Sequence, residues 1–127
     1  MPYRISADPG RPLLLVVVSG SLDTKAAVAM VTEARDRAHA KKLNILYDFR
    51  GAVPGKFQNA DVFWLPRKVP VLQVPEARRV RSAILHLAPQ RELAQFCETT
   101  FTNLGLQARA FEDEAAAFAW LTEGAPT

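Results

Sequence analysis

The residues of this chain best placed to do chemistry are Asp48, Arg50, Gly51 and Lys56. Asp48 supplies a carboxylate, Arg50 a planar fork of donors, and Lys56 a second cation beyond the turn-forming Gly51, Pro54 and Gly55. They follow Asn44-Ile45-Leu46-Tyr47, which reads as a buried strand. Loops just past the carboxyl ends of strands are where α/β sheets bind ligands. The set therefore reads as an anion- or partner-binding spot, with Arg50 as the fork and backbone amides assisting. The plainer reading stands beside it, in which Asp48 caps the loop and Arg50 is solvated. Nothing in the sequence completes a catalytic constellation, and a small enzyme using Asp48 and Arg50 would need a polar cleft that brings in His86.

The other reactive side chains are dispersed. No serine or threonine occurs from Glu33 to Arg81, so the loop after Asp48 holds no hydroxyl nucleophile and no Ser/Thr phosphoacceptor. His39 and His86 lack metal-ligand spacing with Cys97, and no metal or cofactor is expected. His39 reads as an exposed helix residue, His86 as a hydrogen-bonded sheet histidine, and Cys97 as part of an apolar helix stripe. Ser19-Gly20-Ser21 lacks the lysine of a phosphate loop. Arg67, Lys68, Arg78, Arg79 and Arg81 form a scattered basic region without a nucleic-acid motif, which reads as a solvated face.

The second candidate is apolar. Val62, Phe63, Trp64, Leu65, Val69, Val71, Leu72 and Val74 crowd a connection interrupted by Pro66 and Pro70. That exceeds what one short covering helix buries. Phe63, Trp64 and Leu65 are the expected anchors of a dimer or partner surface. Alternatively the segment roofs an apolar pocket for a small apolar or anionic ligand, as in a carrier.

These residues need a scaffold, and the periodicity supplies one. Tyr3 to Ala7 and the valine-rich run Leu13 to Val18 flank the turn Asp8-Pro9-Gly10, which predicts a hairpin with its second strand buried on both faces. Asp23 or Thr24 caps a helix whose Ala26, Ala27, Met30, Val31, Ala34 and Ala38 share one face. Leu43 to Phe49 is a strand. A short helix from about Asn59 breaks near Pro66, because a proline inside a helix costs about 3 kcal/mol or more. Arg81 to Leu87 is a strand, Leu93 to Leu104 a helix ended by Gly105, Leu106 to Phe111 a strand, and Asp113 caps a last helix. Residues 124–127 read as a frayed tail. The order β-β-α-β-α-β-α-β-α predicts an α/β fold: a mostly parallel five-stranded sheet covered by helices, with the first strand antiparallel.

Composition sets the bounds. The 127 residues suit one domain spanning 1–127, with 49% hydrophobic and 23% charged residues and a net charge of +3. One cysteine excludes an intrachain disulfide and makes a reducing cytoplasm the expected setting. The longest apolar run, Leu13 to Val18, is too short to span a bilayer, and neither a signal peptide nor a nucleic-acid partner is expected.

The element order, with SGSLDTKAA after the second strand, ILYDFRG in the middle and ARAFEDEAAAFAWL at the end, resembles the STAS superfamily and more closely its SpoIIAA-like branch. That resemblance implies a small cytoplasmic, non-enzymatic binding or regulatory domain. The branch is also similar to the Sec14 lipid-binding fold, which would fit a carrier. In anti-sigma-factor antagonists of this type, the strand ending in aspartate leads to a phosphorylated serine or threonine. The matching stretch here, Asp48-Phe49-Arg50-Gly51-Ala52-Val53-Pro54, has no hydroxyl. A module without that phosphoswitch is the expectation, acting on a protein partner or as a homodimer.

Overall fold

Asp8-Pro9-Gly10 reverses the chain, with the Gly10 amide donating to Asp8 Oδ1 at 2.8 Å and the Asp8 amide to the Leu13 carbonyl at 3.0 Å. Tyr3–Ala7 (β1) and Leu13–Gly20 (β2) thereby pair antiparallel, Tyr3 opposite Val18. The computed structural model describes residues 2–53 and 59–123, and the expected tail at 124–127, Pro54, Gly55 and Lys56 lie outside them.

Asp23 caps Thr24–Lys41 (α1), its Oδ1 accepting from the Ala26 amide at 2.8 Å. Asn44–Ala52 (β3) follows, then Asn59–Trp64 (α2) and three single 3₁₀ turns at Leu65–Lys68, Pro70–Gln73 and Pro75–Arg79. Each 3₁₀ turn carries a proline in its first two positions, where the missing amide hydrogen costs nothing. Arg81–Leu85 (β4), Arg91–Thr102 (α3), Gln107–Phe111 (β5) and Glu114–Glu123 (α4) complete the chain. Gly105 sits at φ +86° after α3, where only glycine is unstrained.

The sheet runs β1-β2-β3-β4-β5, and every pair after the first is parallel. Each strand therefore lies beside its neighbour in sequence. The strand pleat divides the core into two faces. Leu14, Val16, Val18, Ile45, Tyr47 and Ile84 face α1, α2, the 3₁₀ turns and α3. Leu13, Leu46, Ala83 and Leu85 face α4 through Ala117 and Leu121. Burying each valine, leucine or isoleucine among them contributes about 1.5–3 kcal/mol.

Buried Asn44 and half-buried Arg81 fasten α4. Asn44 Nδ2 donates to the Leu121 carbonyl at 2.8 Å, Asn44 Oδ1 accepts from the Arg81 amide at 2.8 Å, and Arg81 Nη1 donates to the Trp120 carbonyl at 2.9 Å. Arg81 is thus a strut at a helix C-terminus, where a cation suits the dipole, and not part of a solvated basic face.

Three expectations need correction. β2 is not covered on both faces: Val16 is fully buried, but Val17 is 37% exposed, because α4 packs over β3 to β5 and leaves the far side of β2 open. β3 does not stop at Phe49. It continues to Ala52, re-pairing with β2 past a bulge so that Gly51 lies opposite Ser19. A Cβ at Gly51 would sit 3.0 Å from the Val18 carbonyl oxygen, so glycine is what lets the strand pass. β4 ends at Leu85, two residues early, and the His86 amide still reaches the Phe111 carbonyl at 2.9 Å.

Candidate functional site

Proline spacing decides the geometry of the region between β3 and β4. Helix α2 lasts only to Trp64, and the turns after it are closed by backbone bonds that include Val69 to Pro66 at 3.4 Å, Leu72 to Val69 at 3.0 Å, Ala77 to Val74 at 3.1 Å and Val80 to Ala77 at 3.4 Å. Alternate apolar residues go opposite ways. Val62, Leu65, Val69 and Leu72 are buried, whereas Phe63 and Trp64 are each 48% exposed and Val74 also faces out. Leu65, grouped with Phe63 and Trp64 as a surface anchor by sequence, is only 4% exposed and belongs to the interior. The 3₁₀ turn beginning at Leu65 rotates it away from its neighbours.

On the outside, Phe63 and Trp64 meet edge to face with ring centroids 5.3 Å apart. Arg67 lies over both, its guanidinium carbon 4.9 Å from the Trp64 ring centre and 5.4 Å from that of Phe63. The result is an aromatic platform topped by a cation.

On the inside, the same segment roofs a cavity of about 50 Å³ against α1, the sheet and α3. Leu22, Met30, Leu65, Leu72, Ile84 and Cys97 give it apolar walls, and Arg35, Tyr47 and Ser82 supply polar groups. Burial pushes the Cys97 thiol up to about 12, so it is a neutral wall residue and not a nucleophile.

Arg35 is the residue that sequence reasoning missed. It is 3% exposed. Its Nη1 donates to the Ala77 carbonyl at 3.1 Å and its Nη2 to Ser82 Oγ at 2.9 Å, while its buried Nε has no partner. No carboxylate among the described residues pairs with it. Burial lowers its pKa and raises that of Tyr47, and the contact between the two groups opposes each shift. A positional signal was present: Arg35 stands four residues after Val31 and three before Ala38, in the buried row of α1. Its charge argued the other way. One turn on, His39 is half-buried and not exposed as expected, with Nε2 enclosed and unpartnered. Burial and then repulsion from Arg35 lower its pKa, against the opposing pull of Asp36 and Glu76.

Asp48 and Arg50 sit in the last part of β3 and close on each other. Arg50 Nε donates to Asp48 Oδ1 and Nη2 to Oδ2, both at 3.0 Å, with the Arg50 amide also on Oδ1 at 3.0 Å. Glu114, opening α4, adds a longer contact to Arg50 Nη1 at 3.5 Å. Burial favours a neutral Asp48, but the bonds and charge of Arg50 outweigh it and hold the carboxyl below its usual range. Nε and Nη2 are thus engaged within the strand, and Nη1 faces Glu114 of α4. Gly51 beside them serves the β-bulge, and Lys56 lies outside the described residues.

His86 is buried with Nδ1 donating to the Leu87 carbonyl at 2.9 Å. Neither His86 nor Asp48 lines the cavity. Among the described residues no three His, Cys, Asp or Glu side chains group as a metal site, and no helix is long and apolar enough to cross a membrane.

The strand order adds a constraint. Ligand crevices in open α/β sheets lie where the strand order reverses. Here the strands follow sequence order without such a reversal. The concave space lies instead between the sheet and its helical layer.

No protein-family model matches the chain, and no curated protein matches it. Solved structures do. An uncharacterized protein of the DUF3478 family with a SpoIIAA-like fold, from Shewanella loihica PV-4, superposes with a TM-score of 0.58 at 19% identity, covering 94% of this chain and 91% of that one. The anti-sigma factor antagonist SpoIIAA in its unphosphorylated form superposes with a TM-score of 0.54 at 16% identity, covering 93% and 96%. At these identities the likeness establishes the fold: the chain has the SpoIIAA-like, STAS-type α/β architecture that its element order predicted.

Proposed function

We propose that this chain is a non-enzymatic binding and regulatory module of the STAS type that acts in the cytoplasm by protein contact. The platform of Phe63, Trp64 and Arg67 is its working surface, and a second copy of the chain is the first partner to test. The observation that carries this reading is the exposure of two adjacent aromatic rings, 48% each, under an arginine. Tryptophan, tyrosine and arginine dominate the energetic centres of interfaces, and two-fold dimers are the commonest assembly. The fold of an anti-sigma factor antagonist supports a partner-binding role. The absence of serine and threonine from Glu33 to Arg81 supports a module that works without a phosphoswitch in that stretch. With the Asp48–Arg50 pair closed, that end of β3 offers a neutralised edge and not a free anion fork.

Sedimentation equilibrium of wild type and Trp64→Ala tests this. Loss of a buried aromatic anchor costs about 2 kcal/mol or more, and a two-fold dimer loses one on each side, so the dissociation constant should rise by roughly 30-fold or more per anchor. Circular dichroism must show the variant folded, as half-exposure of Trp64 predicts. A wild-type protein that is monomeric across the concentration range overturns the homodimer.

A carrier is the second reading, favoured specifically by the roofed cavity under Leu65 and Leu72.

A further inference from the structure

A buried guanidinium without a counter-charge is costly. Taking a cation out of water costs several kcal/mol unless an anion and hydrogen bonds replace the lost hydration. Arg35 has two bonds to neutral oxygens, a contact with the Tyr47 hydroxyl, an enclosed Nε–H without a partner and no carboxylate among the described residues. Arginine does not escape by deprotonating. The same side chain lines the cavity, beside the Tyr47 hydroxyl and Ser82 Oγ. A buried charge without a counter-ion and a cavity therefore meet at Arg35.

We propose that this cavity binds a short-chain monocarboxylate, with its carboxylate beside the Arg35 guanidinium and the Tyr47 hydroxyl and its alkyl end against Met30, Leu65 and Leu72. The inference deepens the carrier reading and is independent of the aromatic platform. Size selects the ligand: a buried water needs ~10–15 Å³ of such space, so about 50 Å³ takes a molecule of roughly five non-hydrogen atoms. The walls select its class. They are almost wholly apolar, which suits one charged end and a hydrocarbon remainder. A phosphate dianion would present more acceptors than Arg35, Tyr47 and Ser82 can satisfy. The roof suits entry, because short 3₁₀ turns open more readily than a continuous helix.

The test is thermal unfolding of the full chain in sodium propionate, against sodium chloride at equal ionic strength and against propionamide, a neutral molecule of the same shape. Propionate should raise Tm with the logarithm of its concentration, as a ligand of the folded state does, and chloride should not. In wild type carrying labelled propionate, nuclear Overhauser contacts to the Met30 methyl should locate it. Tyr47→Phe, which removes one hydroxyl and no packing, should weaken binding about tenfold. Arg35→Met should abolish it, and Tyr47→Phe with the Met30 contacts decides the matter if Arg35→Met does not fold. Equal stabilisation by propionamide would overturn the anion assignment and leave a carrier of neutral molecules. No stabilisation by either probe, the cavity holding water alone, would overturn the inference and the carrier reading together. Propionate contacts away from Met30 would overturn the site.

Discussion

Replacing Asn44 with alanine should detach α4 before it unfolds anything else. Asn44 is 1% exposed and joins three elements through its side chain: its own strand, the start of β4 through the Arg81 amide, and the end of α4 through the Leu121 carbonyl. Two hydrogen bonds at 2.8 Å are lost, each with a net value of about 1 kcal/mol. The Leu121 carbonyl and Arg81 amide then stand partly buried without those partners, a penalty of about 1–3 kcal/mol per unsatisfied group. Relief by water at the helix end offsets part of this, which leaves a net loss of about 3 kcal/mol. For a domain of this size that lowers Tm by roughly 10 °C. Urea unfolding followed by circular dichroism reads the total. Amide hydrogen exchange reads the location: protection should fall further in α4, Glu114–Glu123, than in β2. A stability loss below about 1 kcal/mol, or equal loss of protection in α4 and β2, would refute the reasoning that this side chain is the fastening of the second sheet face.

Two further outcomes follow from the titrating groups. His39 has a folded pKa below 6.5, so as pH falls past 6.5 the unfolded chain takes up a proton first and stability drops, with the loss confined to the window between 6.5 and the folded value. Urea midpoints measured from about pH 7.5 down to 5 should show that slope in wild type and a flatter one in His39→Ala; identical slopes would show that His39 is not its source. Cys97, with its thiol pushed up to about 12 behind α3, should resist thiol reagents near pH 8 in the native protein and react at once in denaturant; fast native labelling would mean that this wall of the cavity opens freely.

Much of the scaffold was legible because its signals are local. The Asp23 cap, the Asp8-Pro9-Gly10 reversal, the helix broken at Pro66 and the turn at Gly105 each follow from what one or two residues permit. The failures share a different character. Gly51 looked like the start of a loop, yet its lack of a side chain lets β3 pass the Val18 carbonyl and re-pair with β2, a tertiary fact. Val17 belongs to an aliphatic run with no polar face, but its exposure depends on where α4 lands. The candidate sites divide the same way. Exposed aromatics at Phe63 and Trp64 were expected, whereas Leu65 turns inwards through a 3₁₀ step that spacing does not specify. Arg35 occupied a buried helical position whose pattern was readable, and residue chemistry argued against it.

A sheet whose strands pair in the order they occur along the chain also has consequences during synthesis. Each new strand meets a partner that has already emerged, so loop-closure entropy is modest at every step and no strand waits for a distant mate. The exception is the last helix. Until α4 is out, Leu13, Leu46, Ala83 and Leu85 form a bare apolar stripe on an otherwise assembled sheet. A chain ended before Glu114 would thus display a nearly finished domain with one greasy side, the type of surface that chaperones bind and neighbouring chains stick to.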